Sequence, residues 1–275
     1  MSSCCWRLVI WYLPVRKRAG AGPRLQPDGH NREIGVKLLV IVPAYNEAKN
    51  LPFVVTSLRR YAPECDVAVV DDGSTDQTAT VAAALGACVL RSSINLGIGG
   101  AVQTGYLWAR DQGYDAAIQI DGDGQHDPRF IRDVLVPIER GEAEIVIGSR
   151  FLGEEGFRST ALRRAGIRYL AWILRVRCGA RVTDPTSGFR AAGRAALELF
   201  AQRYPSDYPE PESIGIATRA GLRVREVSVQ MREREHGRSS IDAWRTIYYL
   251  IKVSLALLFL PARATTGCGS GAESA

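Results

Sequence analysis

Three short apolar runs in this chain each stop at a turn rich in carboxylates, and that arrangement restricts the fold more than any other feature. Leu38–Val42 ends at Pro43-Ala44-Tyr45-Asn46-Glu47. Val67–Val70 runs into Asp71-Asp72-Gly73-Ser74-Thr75-Asp76, and Ala116-Ala117-Ile118-Gln119-Ile120 ends at Asp121-Gly122-Asp123. Runs of this kind read as strands covered on both faces. If the strands are parallel, the three turns share one rim, at the carboxyl ends where open α/β sheets bind ligands. Ordinary strand-to-helix turns also carry polar caps, and Ser74, Thr75 or Asp76 can cap a helix beginning near Gln77. Three turns together hold more acid than capping needs.

The alternation continues along the chain. Helices are expected over about 48–61, 77–85, 99–112 and 128–139, and further strands over 87–91 and 144–148. This pattern argues for an α/β fold with a mainly parallel sheet and helices on both faces. A dinucleotide-binding site is the obvious rival for such a sheet. Gly97-Ile98-Gly99 begins that fingerprint, but Val102 stands where its third glycine belongs.

Asp121 and Asp123 carry the sharpest chemical signal. Two carboxylates one residue apart repel unless a cation or proton lies between them. Oxygen donors from one or two carboxylates, completed by water and phosphate, suit Mg2+ or Mn2+. A solvated Asp-Gly turn is the plain alternative.

Val40-Ile-Val-Pro-Ala-Tyr-Asn-Glu47, Val69-Val-Asp-Asp-Gly-Ser-Thr-Asp76, Asn95-Leu-Gly-Ile-Gly-Gly100, Asp121-Gly-Asp-Gly-Gln-His-Asp-Pro128 and Gly148-Ser-Arg150 occur in that order. The series resembles the successive motifs of family 2 inverting glycosyltransferases. Thr183-Asp-Pro-Thr-Ser-Gly-Phe-Arg190 and Arg234-Glu-His-Gly-Arg-Ser-Ser240 are similar to segments of its dolichyl-phosphate and polyprenyl-phosphate glycosyltransferase branch. The resemblance covers roughly residues 37–260 and implies a GT-A-type, Rossmann-like fold.

The resemblance also implies roles. Asp121 and Asp123, with Gln125 in support, would bind the divalent metal on the diphosphate of a GDP- or UDP-hexose. Pro43, Ala44, Tyr45, Glu47, Asp72 and Gly97 would hold the nucleotide sugar. Arg150 would face phosphate. Asp184, Ser187 and Arg190 would belong to an acceptor-side loop, and Arg234 and Arg238 to a lid over the phosphates. Glu47 near a helix start, Arg150 at the surface and an exposed Asp184–Arg190 pair are the corresponding plain readings. A saccharide hydroxyl acceptor needs a base, whereas a polyprenyl phosphate is already ionised. In Ser206-Asp-Tyr-Pro-Glu-Pro-Glu212 the best candidate base is Glu212.

Composition and charge agree with a globular enzyme. The 275 residues carry a formal charge of +6, which favours an anionic partner. The six cysteines form no Cys-x-x-Cys pair and fit a reducing compartment. Residues 1–36 read as a disordered extension, 37–240 as the catalytic domain and 261–275 as a frayed tail.

Residues 150–182 hold eight arginines against two glutamates. Leu162, Ala165, Tyr169, Leu170, Ile173 and Val176 fall at helical spacing, with Arg164, Arg168 and Arg175 on another side. Such a helix can lie on an anionic membrane or pack on the domain. The segment 241–260 has the length to span a bilayer, about 30 Å as helix. Asp242, Arg245 and Lys252 interrupt it, so it reads as an amphipathic membrane-surface helix, or one that meets a small integral membrane partner.

The expected activity is metal-dependent, inverting transfer of a mannose- or glucose-type hexose to polyprenyl or dolichyl phosphate. Its expected place is peripheral, at the cytoplasmic membrane face, with no nucleic-acid partner. The alternatives are a family 2 enzyme with a saccharide hydroxyl acceptor, a haloacid-dehalogenase-like phosphatase, and a non-catalytic sugar-nucleotide-binding module.

Overall fold

The computed structural model describes residues 11–13, 37–153, 161–232 and 243–260, with backbone alone for 11–13 and 243–247. The strands are β1 (Trp11–Leu13), β2 (Leu38–Ala44), β3 (Asp66–Asp71), β4 (Cys88–Arg91), β5 (Ala116–Gln119), β6 (Ile145–Ser149), β7 (Arg190–Gly193) and β8 (Val224–Ser228). They form one sheet in the order β1-β4-β3-β2-β5-β7-β6-β8. β4, β3, β2 and β5 pair in parallel, as do β6 and β8, while β7 runs antiparallel between β5 and β6. β2, β3 and β5 therefore end on one rim, as their acidic turns required. Trp11–Leu13, within the stretch expected to be an extension, forms an antiparallel edge strand on β4.

Helices cover both faces of the sheet. α1 (Leu51–Tyr61), α2 (Thr78–Ala84) and α4 (Ile131–Glu139) lie on one side. On the other lie α3 (Gly97–Asp111), α5 (Ala161–Cys178), α6 (Arg194–Gln202), α7 (Pro209–Arg219) and α8 (Ala243–Leu258). The period of two along β2 separates the layers. Leu38, Val40 and Val42 enter the first core, and Leu39 and Ile41 the second. In α1, Leu51, Val54, Val55 and Leu58 are buried at the spacing of one helical face. Fully burying such a leucine contributes about 1.5–3 kcal/mol.

Two helices depart from expectation. In α5 the buried stripe is Ile167, Leu170, Ile173 and Leu174, whereas Leu162 and Val176 are each 66% exposed and Tyr169 is 44% exposed. The helix is turned by its packing on α7 and α8, so its buried line is not the one spacing selected. α8 buries Val253 and Leu257 against the domain, and Leu260 just beyond it, but leaves Ile251, Leu255, Leu258 and Phe259 exposed. Its outward face is apolar where a soluble helix would carry charge. No helix among the described residues is long and apolar enough to cross a membrane.

The start of α3 is fixed by close backbone contact. The Gly99 amide donates to the Ser206 carbonyl at 3.1 Å, and a Cβ on Gly99 would lie 2.0 Å from the Pro205 carbonyl oxygen. Gly99→Ala should therefore force α3 off the 205–206 loop and cost about 1–3 kcal/mol, the usual price of overpacking. Thermal unfolding measures this, and an unchanged midpoint would contradict the contact.

Candidate active site

The first two acidic turns are stitched together by hydrogen bonds. Asn46 takes the left-handed conformation, φ 56°, and its Oδ1 accepts from the amides of Thr75 at 2.9 Å and Asp76 at 3.3 Å. The Asn46 amide donates to Ser74 Oγ at 2.9 Å, and the Glu47 amide to Thr78 Oγ1 at 2.9 Å. Asp71 is buried, its Oδ1 accepting from the Ser74 amide at 3.0 Å. Asp72 Oδ1 accepts from the Leu96 amide at 2.8 Å, which joins it to Gly97 at the start of α3. Burial raises the Asp72 carboxyl above its ordinary pKa, the Leu96 and Gly97 amides oppose this, and Asp71 adds to it. Pro43 and Ala44 are buried, Glu47 is half-buried, and Tyr45 is exposed above the turn.

The third turn packs against the first. A Cβ on Gly122 would lie 3.1 Å from the Pro43 carbonyl oxygen and 3.6 Å from Ala44 Cβ. The Asp121 carboxylate is held from two sides. Gln119 Nε2 donates to its Oδ1 at 3.0 Å, and His126 Nε2 lies 3.6 Å from its Oδ2. His126 Nδ1 accepts from the Asp121 amide at 3.0 Å, so the ring hydrogen belongs on Nε2, facing the carboxylate. The His126 ring stacks on Phe189 at 5.2 Å. The Gln125 amide donates to Asp123 Oδ1 at 3.0 Å. Sequence reading gave no role to Gln119 or His126, although both flank the paired aspartates.

The donor set fits a hard divalent ion. Asp121 and Asp123 are half-exposed on the rim, and no group of three or more Asp, Glu, His or Cys is arranged to hold a metal ion by itself among the described residues. Mg2+ and its analogues often take one or two protein carboxylates and complete their shell with water and substrate phosphate. Bound there, the ion would supply positive charge to a diphosphate.

The residues expected to touch phosphate or acceptor are placed differently. Arg150 does not point to an open phosphate site. Its Nε and Nη2 donate to Asp184 Oδ2 and Oδ1 at 2.6 and 2.7 Å, and both residues are buried. Arg190 does not pair with Asp184. It is 1% exposed, and its guanidinium donates to the Ser187 carbonyl, the Glu210 carbonyl and Ser213 Oγ. Ser187 is buried and donates to the Gly148 carbonyl at 2.6 Å. Glu226 accepts from the amides of Thr183 and Asp184 at 2.7 and 2.8 Å. Asp184, Ser187, Arg190 and Arg150 thus brace the loop before β7 from within. That loop brings Gly188 against Asp121, where a Cβ would lie 3.0 Å from Oδ2.

The acidic segment at 206–212 leads into a helix. Pro209 and Pro211 lie in the first turn of α7, where proline is tolerated. Glu210 and Glu212 consequently leave the helix on different sides. Burial raises the Glu210 carboxyl, Arg190 opposes this, and the charge of Asp121 adds to it. Burial raises Glu212 too, but the charges facing it are Arg203 and Lys252. The charge of Asp121 therefore bears on Glu210, and those of Arg203 and Lys252 on Glu212. Tyr249 of α8 joins Glu210: burial and then that carboxylate raise its phenol, and its ring meets Tyr208 edge-on at 4.7 Å.

Arg234 and Arg238 lie outside the described residues. The chain leading to them is tied to the third turn. Met231 pairs with His126, the Arg232 amide donates to the Gln125 carbonyl at 2.9 Å, and Arg232 Nη2 donates to Asp127 Oδ1 at 2.8 Å.

The family model described as glycosyl transferase family 2 matches residues 39–200, the span that contains all three acidic turns and the Arg150–Asp184 brace. The chain belongs to glycosyl transferase family 2. The polyprenol monophosphomannose synthase of Mycolicibacterium smegmatis is 31% identical over 252 residues, 88% of this chain and 93% of that protein. The undecaprenyl-phosphate mannosyltransferase of Micrococcus luteus is 32% identical over 75% of this chain and 88% of its own length. Among solved structures, glucosyl-3-phosphoglycerate synthase from Mycobacterium tuberculosis was determined with Mn2+, uridine diphosphate and glucosyl-3-phosphoglycerate. It matches with a TM-score of 0.65 at 25% identity, covering 82% of this chain and 81% of that one. This family 2 enzyme therefore shares the GT-A-like architecture, and its paired aspartates stand on the rim of that fold.

Two ion pairs give tests. Asp184→Ala leaves the Arg150 guanidinium buried without its carboxylate, a change that costs about 3–5 kcal/mol. Chemical denaturation should show this loss, and a variant as stable as wild type would remove the brace. Asp127 accepts from Arg129 and Arg232. Burial disfavours its charge, but the Arg129 hydrogen bonds and Arg232 outweigh it and hold the carboxyl below its usual pKa. The ionised form then stabilises the fold above the unfolded value of about 3.9, and that contribution is lost as pH falls through the folded value. Asp127→Asn should lower the melting midpoint at neutral pH, with the gap to wild type narrowing below about pH 4. A gap that widens in acid would reverse the assignment.

Proposed function

We propose that this enzyme transfers a hexose, with inversion, from a nucleotide-diphosphate sugar to a polyprenyl phosphate at the inner face of a membrane. The observation that carries the reading is the 31% identity, across 88% of the chain, to a polyprenol monophosphomannose synthase. The site chemistry is consistent with it. When bound, a divalent ion offsets the charge that grows on the leaving diphosphate. Asp121 and Asp123 hold that ion, and Gln119, His126 and the Gln125 amide keep the two carboxylates in place. The rim formed by the β2 and β3 turns, with Pro43, Ala44, Tyr45, Glu47, Asp72 and Gly97, takes the nucleotide and its sugar. The acceptor phosphate is already ionised, and its oxygen attacks the anomeric carbon without a base.

A second reading is favoured by Glu210. In that reading Glu210, whose carboxyl is raised by burial and further by the charge of Asp121, takes the proton of a saccharide hydroxyl. Glu210→Gln separates the two. With a phosphate acceptor the variant should keep turnover within about tenfold, whereas loss of a general base costs about 100- to 10,000-fold. Single-turnover assays with undecaprenyl phosphate and with saccharide acceptors decide between them.

Asp123→Asn should lower turnover roughly 100- to 1,000-fold while the melting curve is retained, because one contact to developing charge is worth a few kcal/mol. Glycolipid formation from a panel of GDP- and UDP-hexoses, followed by mass spectrometry with and without EDTA, is the measurement. Wild-type turnover by the variant, or in excess EDTA, would overturn the metal assignment.

A further inference from the structure

Many arginines elsewhere on the described surface meet a carboxylate, and others, such as Arg59, Arg177 and Arg219, donate to backbone carbonyls. Arg110 meets Asp111, Arg132 meets Glu139, Arg223 meets Glu144 and Arg225 meets Glu142. Arg164, Arg168, Arg175 and Arg181 are different. Their guanidinium groups make no ion pair, hydrogen bond or ring contact with any other described residue, and all four are exposed. They line one groove of about 780 Å3, with Trp172 among them and no carboxylate in its described lining. On α5, Arg164, Arg168 and Arg175 sit at i, i+4 and i+11, one stripe of the helix. Like charges at this spacing weaken a helix unless something neutralises them.

The groove borders apolar surface. Trp172 is 59% exposed and stacks on Tyr169, whose hydroxyl lies 3.3 Å from Ser254 Oγ of α8. The exposed Leu255, Leu258 and Phe259 continue from there. A surface that carries unpaired guanidinium groups, an exposed indole and bare aliphatic side chains together matches the headgroup layer of a bilayer, where phosphate lies above hydrocarbon. A nucleic acid would use the arginines and leave the aliphatic side chains in water.

We propose that the α5 groove is a headgroup site for the phosphodiester of acidic phospholipids, separate from the acceptor phosphate at the catalytic rim. Each guanidinium approaches a lipid phosphate, while Trp172 and the outward side of α8 enter the interface. This deepens the membrane reading above, and a binding test without donor sugar keeps it independent of the chemistry.

The experiment is co-sedimentation of the full chain with vesicles of phosphatidylcholine alone, or mixed with phosphatidylglycerol, across a salt series. Wild type should prefer the acidic vesicles, with the preference fading as salt rises. Arg168→Gln/Arg175→Gln should lose about fivefold per charge removed, or about 25-fold, and melt as wild type does. Leu255→Ser/Leu258→Ser should bind more weakly overall but keep the acidic preference. Transfer to undecaprenyl phosphate in detergent should survive in the arginine variant. Equal binding of wild type to both vesicles, or an arginine variant that binds as wild type, would overturn the site. Displacement by inorganic phosphate alone would reassign it to a free anion, and tighter binding of an oligonucleotide than of vesicles would reassign it to nucleic acid. Loss of transfer in detergent would place the groove in the acceptor site instead.

Discussion

The buried ion pair between Arg150 and Asp184 supports much of the catalytic rim. Two charges taken out of water need each other and further hydrogen bonds to remain ionised. Asp184 receives both from Arg150, which donates through its side chain and through its amide at 3.2 Å. Because the pair closes over residues 183–189, those residues pack under the rim instead of extending into water. Gly188 then meets the Asp121 carboxylate and Phe189 stacks on His126. The Asp121 carboxylate is thus buttressed from beneath by this loop.

Of the six strands before residue 150, β2 to β6 were legible because each carries a short apolar run that ends at a turn, whereas β1 lies in the stretch read as an extension. The strands after it were not. β7 reads Arg190-Ala-Ala-Gly193, with small residues and a buried arginine, and it is a strand because β5 and β6 flank it. β8 is short and half-exposed, with no run to mark it. Pairing between distant segments decides both, and periodicity within a window does not carry that information.

The site was legible to the same degree. The rim aspartates and the turns around them stand where their motifs placed them. Arg190 was misread because an arginine in a loop is usually solvated, and nothing local announces that Ser187, Glu210 and Ser213 surround it. That Glu210 and Glu212 leave one helix turn on different sides was not legible, because the prolines beside them do not announce a helix. Proline at the start of a helix has no amide to lose, so the pair begins α7, and helical geometry turns one carboxylate inward.

The helices that expose apolar surface, α5 and α8, pack with α7 on one face of the sheet. α7 carries Glu210 and packs against α5 and α8; a Cβ on Gly215 would meet Leu260, Leu257 and Cys178 within 3.3 Å. α8 sends Tyr249 back toward Glu210 while Leu255 and Phe259 face outward. A soluble acceptor would give no reason for bare aliphatic side chains one helix away from the reacting groups, since exposed apolar patches favour association. An acceptor with a phosphate head and a hydrocarbon tail does. Because α5, α7 and α8 pack into a single layer on the sheet, the arginines of α5 and the exposed aliphatic side chains of α8 lie on the same face of the domain.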